Sequence, residues 1–320
     1  MELWLWWWVR GGMLYRALGL SGVEVSAMGM GCMPLSVREE RPSREEGVAV
    51  FQEALRCGVN FFDTADCYCT GESDFGHNER LVGDFLRSLS NGDRERVIVA
   101  TKGGIMRSGA DWVRNGRPDY LKKACEESLR NLGVERIDLY QHHRIDPEVP
   151  LEDSLGAFAE LREEGKIAHV GVSNYGVEEI ERARKIVPVV SVQNQLGPNH
   201  REPEWSVTHA RPGADPNTPG TLSATRDGEM AFLPWCPLGG MGTAKKLAQA
   251  EDGLGALAKE LGGSPCQIVL AWLLHKGPHV IPIPGASRKE SIRDSSKAVD
   301  FVLEGSVVAQ LEDIFLKSFP

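Results

Sequence analysis

The chain has 320 residues, of which 42% are hydrophobic, so it is long enough to bury one large core as a single domain. The formal net charge of −9 argues against the strongly basic surface that nucleic acids and anionic membranes select. This composition is typical of a protein that acts on small molecules. The seven cysteines are scattered without paired CxxC spacing, so we expect reduced thiols, no metal site and a cytoplasmic location.

The first residues are unusually rich in tryptophan. The run from Leu3 to Val9 is much shorter than the about 20 apolar residues that a membrane span needs, and no small-residue cleavage site follows it. We therefore predict that residues 1–12 form a disordered or surface extension, with a segment that docks a partner as the alternative. The single domain is predicted to occupy residues 13–320.

A β-hairpin is predicted before the first strand of the main sheet. Two β-rich runs, at 13–19 and 23–25, flank Ser21 and Gly22, which are residues typical of a tight turn. Such a hairpin could close the bottom of a barrel.

Strand-like and helical segments alternate along the rest of the chain. Between Leu121 and Leu129, residues that suit the buried face of a helix recur at spacings of three and four, which predicts a helix that ends near Gly133. Eight alternating strands and helices favour an α/β fold, a (β/α)8 TIM barrel with the N-terminal β-hairpin. The eight predicted parallel strands cover residues 26–31, 60–63, 97–102, 137–143, 167–174, 189–194, 232–238 and 280–284.

Two stretches bear on this prediction. An open doubly wound sheet would carry a GxGxxG fingerprint after its first strand, but the segment from Gly29 to Pro34 lacks the third glycine and a following helix. Residues 198–229 are rich in proline and glycine without helical periodicity, so we expect an atypical loop there and a missing or degraded sixth helix.

Polar residues stand at the C-terminal ends of successive predicted strands. Active sites of TIM barrels form at these ends, because the strands converge on one mouth. Each residue taken alone could be structural, as a turn cap, a solvated lysine or a half-buried histidine. Their joint appearance predicts one active site, formed by Asp63, Lys102, His143, Ser173, Asn174, Gln193, Asn194 and Trp235.

Tyr68 lies five residues after Asp63, close enough for its loop to fold the phenol back over the mouth. A free tyrosine titrates near pH 10, and a neighbouring ammonium favours the phenolate. Lys102, oriented by Asp63, is therefore expected to lower the pKa of Tyr68 toward a value useful for proton transfer.

The segment from Gly58 to Tyr68, followed by Gly76-His77-Asn78-Glu79, resembles the signature of the aldo-keto reductase family. The segments that end at Lys102, His143 and Asn174 resemble further family motifs in the same order. The resemblance covers about residues 13–200 and 231–317. It implies an NADPH-dependent reductase of aldehydes or ketones, a small-molecule enzyme with neither nucleic acid nor membrane as a partner.

The same resemblance implies roles for individual residues. The catalytic tetrad would be Asp63, Tyr68, Lys102 and His143, with Tyr68 as the proton donor and His143 orienting the carbonyl oxygen. His142 is expected to face the other side of its strand, because side chains alternate. The implied cofactor-binding residues are Ser173, Asn174 and Gln193 on the carboxamide, Trp235 stacked on the nicotinamide, Pro237, Leu238 and Gly239 in a Pro-Leu-Gly segment, and Gly285, Ser287 and Arg288 near the phosphates.

Arg288 opens a predicted helix, where backbone N–H groups attract phosphate. A guanidinium fork suits an adenosine 2′-phosphate better than a ribose hydroxyl, which favours NADPH over NADH. The chain departs from the family pattern at Asp294-Ser295, where Glu-Asn is common, and at residues 198–229. Two alternatives therefore stay open: an NADPH-binding regulatory or sensor subunit with little turnover, and a chain that folds poorly because its start and its sixth helix are altered.

Overall fold

A computed structural model describes residues 8–109, 111–201, 220–250 and 253–319. In these ranges the strands form a seven-stranded parallel sheet, a three-stranded antiparallel sheet and a separate hairpin. The strands are β1 (Trp8–Arg10), β2 (Met13–Ala17), β3 (Glu24–Ser26), β4 (Met30–Gly31), β5 (Phe61–Asp63), β6 (Ile98–Gly103), β7 (Ile105–Ser108), β8 (Asp111–Arg114), β9 (Ile137–His142), β10 (Ile167–Ser173), β11 (Val189–Gln193) and β12 (Ala231–Phe232).

Helices connect the parallel strands and cover the outside of the sheet. In the described ranges none of them is both long enough and apolar enough to cross a membrane. The α-helices are α1 (Arg44–Arg56), α2 (His77–Arg87), α3 (Asn91–Arg94), α4 (Pro118–Leu132), α5 (Leu151–Glu163), α6 (Val177–Arg184), α7 (Thr221–Asp227), α8 (Met241–Leu247), α9 (Gly253–Glu260), α10 (Pro265–His275), α11 (Lys289–Ser296) and α12 (Gly305–Ser318), with short 3-10 helices at Gly19–Ser21, Met33–Leu35, Glu72–Asp74 and Lys297–Asp300.

The parallel sheet runs in the order β4-β5-β6-β9-β10-β11-β12 and is closed into a barrel by residues 279–285. On one side of this segment, Phe232 bridges Val280, and on the other side Gly31 bridges Gly285, both in parallel orientation. These contacts confirm the predicted TIM barrel, and they make residues 279–285 its eighth strand.

The eighth strand lacks a regular hydrogen-bond ladder because Pro282 and Pro284 have no N–H groups. Their carbonyl groups still accept hydrogen bonds from Gly29 at 2.9 Å and from Gly31 at 3.0 Å. The backbones approach so closely that a Cβ on Gly31 would lie 2.8 Å from the carbonyl oxygen of Ile283. Closure of the barrel at this seam therefore requires a glycine at position 31.

The antiparallel sheet covers the bottom of the barrel. Strands β2 and β3 pair as the predicted hairpin, and Leu18 and Val25 are buried in one cluster with the barrel-interior residues Phe61, Leu139 and Ile281. The hairpin thus lies at the bottom of the barrel, where the sequence suggested that it could act as a plug. Strand β1 also pairs with β2, while residues 1–7 lie outside the described residues, so the character of the N-terminal extension stays a prediction.

The helices agree with the sequence pattern to different degrees. Helix α4 occupies the predicted place, and Gly133 ends it in the left-handed conformation with φ of 68°. Among the described residues between the sixth and seventh barrel strands, the one helix is α7, which has seven residues. The sixth helix is therefore present but short, and the Pro- and Gly-rich part of its loop, residues 202–219, lies outside the described residues.

Candidate active site

The barrel mouth brings together the four residues that the resemblance implied as catalytic. Asp63 is the last residue of β5, Lys102 lies near the end of β6, and His143 directly follows β9. Tyr68 lies in the loop after β5. All four side chains are buried, with Lys102 fully enclosed and Tyr68 exposed by 8% at the cleft.

Lys102 is the centre of a hydrogen-bond network. Its ammonium group donates to the Asp63 carboxylate at 2.6 Å, the Thr64 carbonyl at 2.9 Å and the Tyr68 hydroxyl at 3.1 Å. The second carboxylate oxygen of Asp63 accepts from the amides of Gln141 at 3.0 Å and Gln193 at 2.8 Å. The charge of Lys102 is thus compensated by the Asp63 carboxylate, as a buried ion pair requires.

The pKa of Tyr68 is raised, whereas the sequence led us to expect a lowered pKa. Burial raises the pKa of Tyr68 above its ordinary value, and the adjacent Lys102 ammonium opposes this by lowering it, but burial prevails. For Lys102, burial lowers the pKa, and the attraction of the Asp63 carboxylate overcomes burial to raise it. The site at rest therefore holds a protonated phenol beside a protonated amine.

His143 faces Tyr68 across the mouth, with ring centroids 5.9 Å apart in an edge-to-face arrangement. Burial, followed by the positive charge of Lys102, lowers the pKa of His143 well below its ordinary value. Asn174 donates from its amide to the His143 carbonyl at 3.1 Å, which fixes the backbone at the end of this strand. His143 is therefore a neutral, positioned imidazole.

His142 points away from the cleft, as strand alternation predicted. Its Nδ1 lies 2.6 Å from the hydroxyl of Tyr175, and its ring packs edge-to-face against Phe158. Burial lowers the pKa of His142 to about 4. The residue belongs to the packing between barrel and helices, and two adjacent histidines do not face one common site.

A second group of polar atoms surrounds His143. The thiol of Cys67, a carboxyl oxygen of Asp66 and a ring nitrogen of His143 lie within 4.8 Å of one another. Burial raises the pKa of both Asp66 and Cys67 well above their ordinary values, which favours the protonated form of each group. Metal ligands of these types must be deprotonated, which makes the cluster unfavourable for a cation. The absence of a metal stays a prediction.

A cleft of about 500 Å³ opens above the tetrad. Most of the residues implied as cofactor-binding lie in the wall of this cleft. Arg288 lies outside the wall and is an exposed residue that immediately precedes α11. Gly239 and Ser287 also lie outside the wall. The implied residues that the wall does contain are Ser173, Asn174, Gln193, Trp235, Pro237, Leu238 and Gly285.

Two residues of the cleft adopt the left-handed backbone conformation that non-glycine residues rarely use. Asn174 has φ of 62° and Cys236 has φ of 50°. The indole of Trp235 donates to the side-chain oxygen of Asn174 at 3.2 Å, so the two are held together at the mouth. Backbone strain of this kind concentrates at binding sites.

The sequence did not indicate several residues of the site. Gln141 lies on β9, two positions before His143, so strand alternation could have placed it in the barrel interior. Trp112, Arg114 and Arg144 also line the cleft, but they stand on a hairpin and beyond a strand end, where no periodic pattern marks them.

Comparisons with known proteins agree with this geometry. Residues 27–315 match the family model described as the aldo/keto reductase family. The chain is 34% identical over 293 residues to an uncharacterized oxidoreductase of Schizosaccharomyces pombe, and the match covers 90% of this chain and 86% of that protein.

Solved structures show the same similarity. A thermostable aldo-keto reductase crystallised with the inhibitor epalrestat has a TM-score of 0.74 and 29% identity, with coverage of 94% of this chain and 100% of that one. An aldo/keto reductase of Klebsiella pneumoniae in complex with NADP and acetate has a TM-score of 0.74 and 26% identity, with coverage of 94% and 95%. The chain belongs to the aldo/keto reductase family.

Proposed function

We propose that this protein reduces aldehydes or ketones to alcohols with NADPH, and that Tyr68 donates the proton to the carbonyl oxygen. The observation that carries this proposal is the hydrogen bond of 3.1 Å between the Lys102 ammonium and the Tyr68 hydroxyl, at the floor of an open cleft. The alternative, a regulatory subunit with little turnover, would not need a charged amine buried under a phenol.

The residues of the cleft fit a nicotinamide cofactor. Trp235 offers a flat aromatic surface, and Ser173, Asn174 and Gln193 offer hydrogen-bonding groups at adjacent strand ends. Gln193 has its amide nitrogen engaged with Asp63, so its carbonyl oxygen is the group that can face a carboxamide. The NADP complex of the Klebsiella pneumoniae relative supports this assignment. When bound, NADPH supplies the hydride.

The residues of this chain provide the proton and hold the substrate. Tyr68 keeps its proton until a carbonyl oxygen gains negative charge, because burial raises the pKa of the phenol. Lys102 then stabilises the phenolate that remains, since its ammonium already lies against the hydroxyl. Neutral His143 can donate a hydrogen bond to the same oxygen and so orient the carbonyl.

The substitution Tyr68→Phe tests the proton donor. We expect a loss of kcat on the order of 10²- to 10⁴-fold, which is the range of general acid catalysis, while the NADPH affinity stays unchanged. Reduction of 4-nitrobenzaldehyde, followed by nicotinamide absorbance, gives the rate, and tryptophan fluorescence gives the affinity. Wild-type kcat in the Tyr68→Phe variant would overturn the assignment.

Tyr15→Phe is the matched control. Tyr15 lies at the bottom of the barrel, where its hydroxyl donates to the Gly58 carbonyl at 2.9 Å. Its loss should affect stability and leave kcat unchanged. If the wild-type protein binds NADPH but reduces none of a panel of aldehydes and ketones, the regulatory alternative is favoured over the reductase.

A further inference from the structure

Two arginines line the same cleft as the tetrad, and they stand on a different side of the mouth from the implied cofactor residues. Arg114 ends β8, in the hairpin that follows the third barrel strand, and Arg144 follows the fourth. The implied cofactor residues follow the fifth to eighth barrel strands. The arginines therefore belong to the part of the mouth next to Tyr68 and His143.

The structure holds both side chains at this place. Arg114 donates to the carbonyl of Ile145, the residue after Arg144, at 3.4 Å, so the two arginines are linked through the backbone. Both are half-buried. Trp112, two residues before Arg114, is held by Arg107 at 4.4 Å from its ring and contacts the Tyr68 ring edge-to-face at 6.3 Å. The hairpin is thus anchored to the catalytic residue itself.

The two arginines place two guanidinium groups on this side of the cleft. Among the described wall residues, the only acidic side chain is Asp63, and its charge is compensated by Lys102. Burial, followed by the neighbouring charge of Arg114, lowers the pKa of Arg144. Two guanidinium groups on one side of a partly desolvated cleft favour the binding of an anion there.

We propose that Arg114 and Arg144 form a subsite for a carboxylate or phosphate group carried by the carbonyl substrate. This inference rests on the proposed function, because it assigns a substrate class to the same site. Guanidinium groups bind both anions through paired N–H donors, so the shared chemistry is that of a planar or tetrahedral oxyanion. The hydride acceptor would then be an oxo-acid or a phosphorylated aldehyde.

The test compares anionic substrates with neutral partners of similar shape. The carboxylate arm uses 3- and 4-formylbenzoate against their methyl esters, and the phosphate arm uses glyceraldehyde 3-phosphate against glyceraldehyde. For the wild type we expect kcat/KM to be higher for the anion in at least one arm, and the arm with the larger ratio identifies the oxyanion.

The variants Arg114→Met and Arg144→Met remove each charge but keep the aliphatic stem. Loss of a charge-assisted hydrogen bond should reduce the anion-to-neutral ratio of kcat/KM by about 10- to 100-fold, mainly through KM of the anion. Rates with the neutral partners should change little, and Arg144→Lys should recover part of the ratio. The NADPH affinity, measured by fluorescence, should stay unchanged, because the arginines follow the third and fourth barrel strands and lie apart from the residues implied as cofactor-binding.

Arg117→Met is the control for a nearby charge outside the cleft, since Arg117 is exposed and pairs with Asp119 at 3.4 Å. Thermal unfolding shows whether each variant is folded. The subsite would be overturned if the anion-to-neutral ratio of kcat/KM were the same in the wild type and in the double variant that combines Arg114→Met and Arg144→Met. It would also be overturned if the substitutions lowered the NADPH affinity and left this ratio unchanged. Failure to reduce either partner would contradict the proposed function instead, so the two failures are distinguishable.

Discussion

Lys102 has three N–H donors, and the structure uses each of them on a different acceptor: a carboxylate, a backbone carbonyl and a phenol. An arginine could not replace it here, because a planar guanidinium directs its donors differently from a compact ammonium. The Asp63 carboxylate is held in turn by two amides, so it cannot turn away from Lys102. Tyr68, the proposed proton donor, is thus positioned by Lys102, which Asp63 and the two amides hold in place.

The buried His142 gives a prediction for the pH dependence of stability. An unfolded histidine takes up a proton below its ordinary pKa of 6.5, whereas folded His142 stays neutral down to about pH 4. Acid therefore favours the unfolded wild type, and this single group contributes up to about 3 kcal/mol over that window. We therefore compare the free energies of unfolding of His142→Leu and the wild type, measured with urea at pH 6.5 and pH 4. Between these two pH values the wild type should lose about 3 kcal/mol of stability relative to the variant.

Tyr175→Phe separates proton linkage from the lost hydrogen bond. It removes the same contact between Tyr175 and His142 but keeps the imidazole. The loss in the free energy of unfolding caused by Tyr175→Phe should stay nearly constant between pH 6.5 and 4. If the difference in the free energy of unfolding between His142→Leu and the wild type were also independent of pH, folded His142 would take up a proton over this range as the unfolded residue does. That result would contradict the lowered pKa of His142.

At the scale of elements, α11 connects the eighth barrel strand to the rest of the fold. Asp294 of this helix accepts hydrogen bonds from Ser264 and Gln267 at the start of α10, both at 2.9 Å. Asp294, one of the two residues that depart from the family pattern, therefore anchors one helix to another. Arg288 immediately precedes α11 and is free to extend outward from its first turn.

Arg288→Ala tests the preference for NADPH. If the guanidinium binds the 2′-phosphate, KM for NADPH should rise about 10- to 100-fold, as loss of a charge-assisted hydrogen bond predicts, while KM for NADH stays within about twofold. Steady-state reduction of one aldehyde with each cofactor measures both values.

Arg293→Ala is the control on the same helix, because Arg293 faces α1 and pairs with Glu53 at 2.6 Å. It should leave both KM values unchanged. Equal increases of KM for NADPH and NADH in the Arg288 variant would contradict the assignment of Arg288 to the 2′-phosphate.

At the scale of the whole molecule, the interior of the barrel depends on a segment that is not part of the barrel. Leu18 is completely buried with residues of the barrel interior, whereas its neighbour Leu20 is 70% exposed. The hairpin fills part of the barrel interior with its apolar side chains. We therefore expect the hairpin and the barrel to unfold as one cooperative unit.

Leu18→Ala should destabilise the entire protein by about 2 to 5 kcal/mol, which is the cost of a large cavity in a core. Leu20→Ala should cost less than about 0.5 kcal/mol, since this side chain is already in water. Urea unfolding measures both effects. A single transition of Leu18→Ala with the same m-value as the wild type would show that the hairpin and the barrel unfold together. Equal midpoints for the two variants would contradict the proposed plug.

Local patterns in the sequence were sufficient for much of the architecture. The strand-end residues Asp63, Lys102 and His143 could be placed at one mouth because parallel strands of a barrel end on the same side. The helix α4 and its end at Gly133 followed from spacings of three and four and from the conformational freedom of glycine. These features depend on neighbours a few residues apart, and a sequence shows such neighbours directly.

The tertiary structure decided what depends on distance in space. Gln193 contacts Asp63 although the two are separated by 130 positions, and the arginines of the cleft stand where no periodicity marks them. The sequence also predicted a lowered pKa for Tyr68, because it shows that a lysine is available but does not show how deeply the phenol is buried. Desolvation depends on every residue packed around a group, and it reverses the net direction that the charge alone would give.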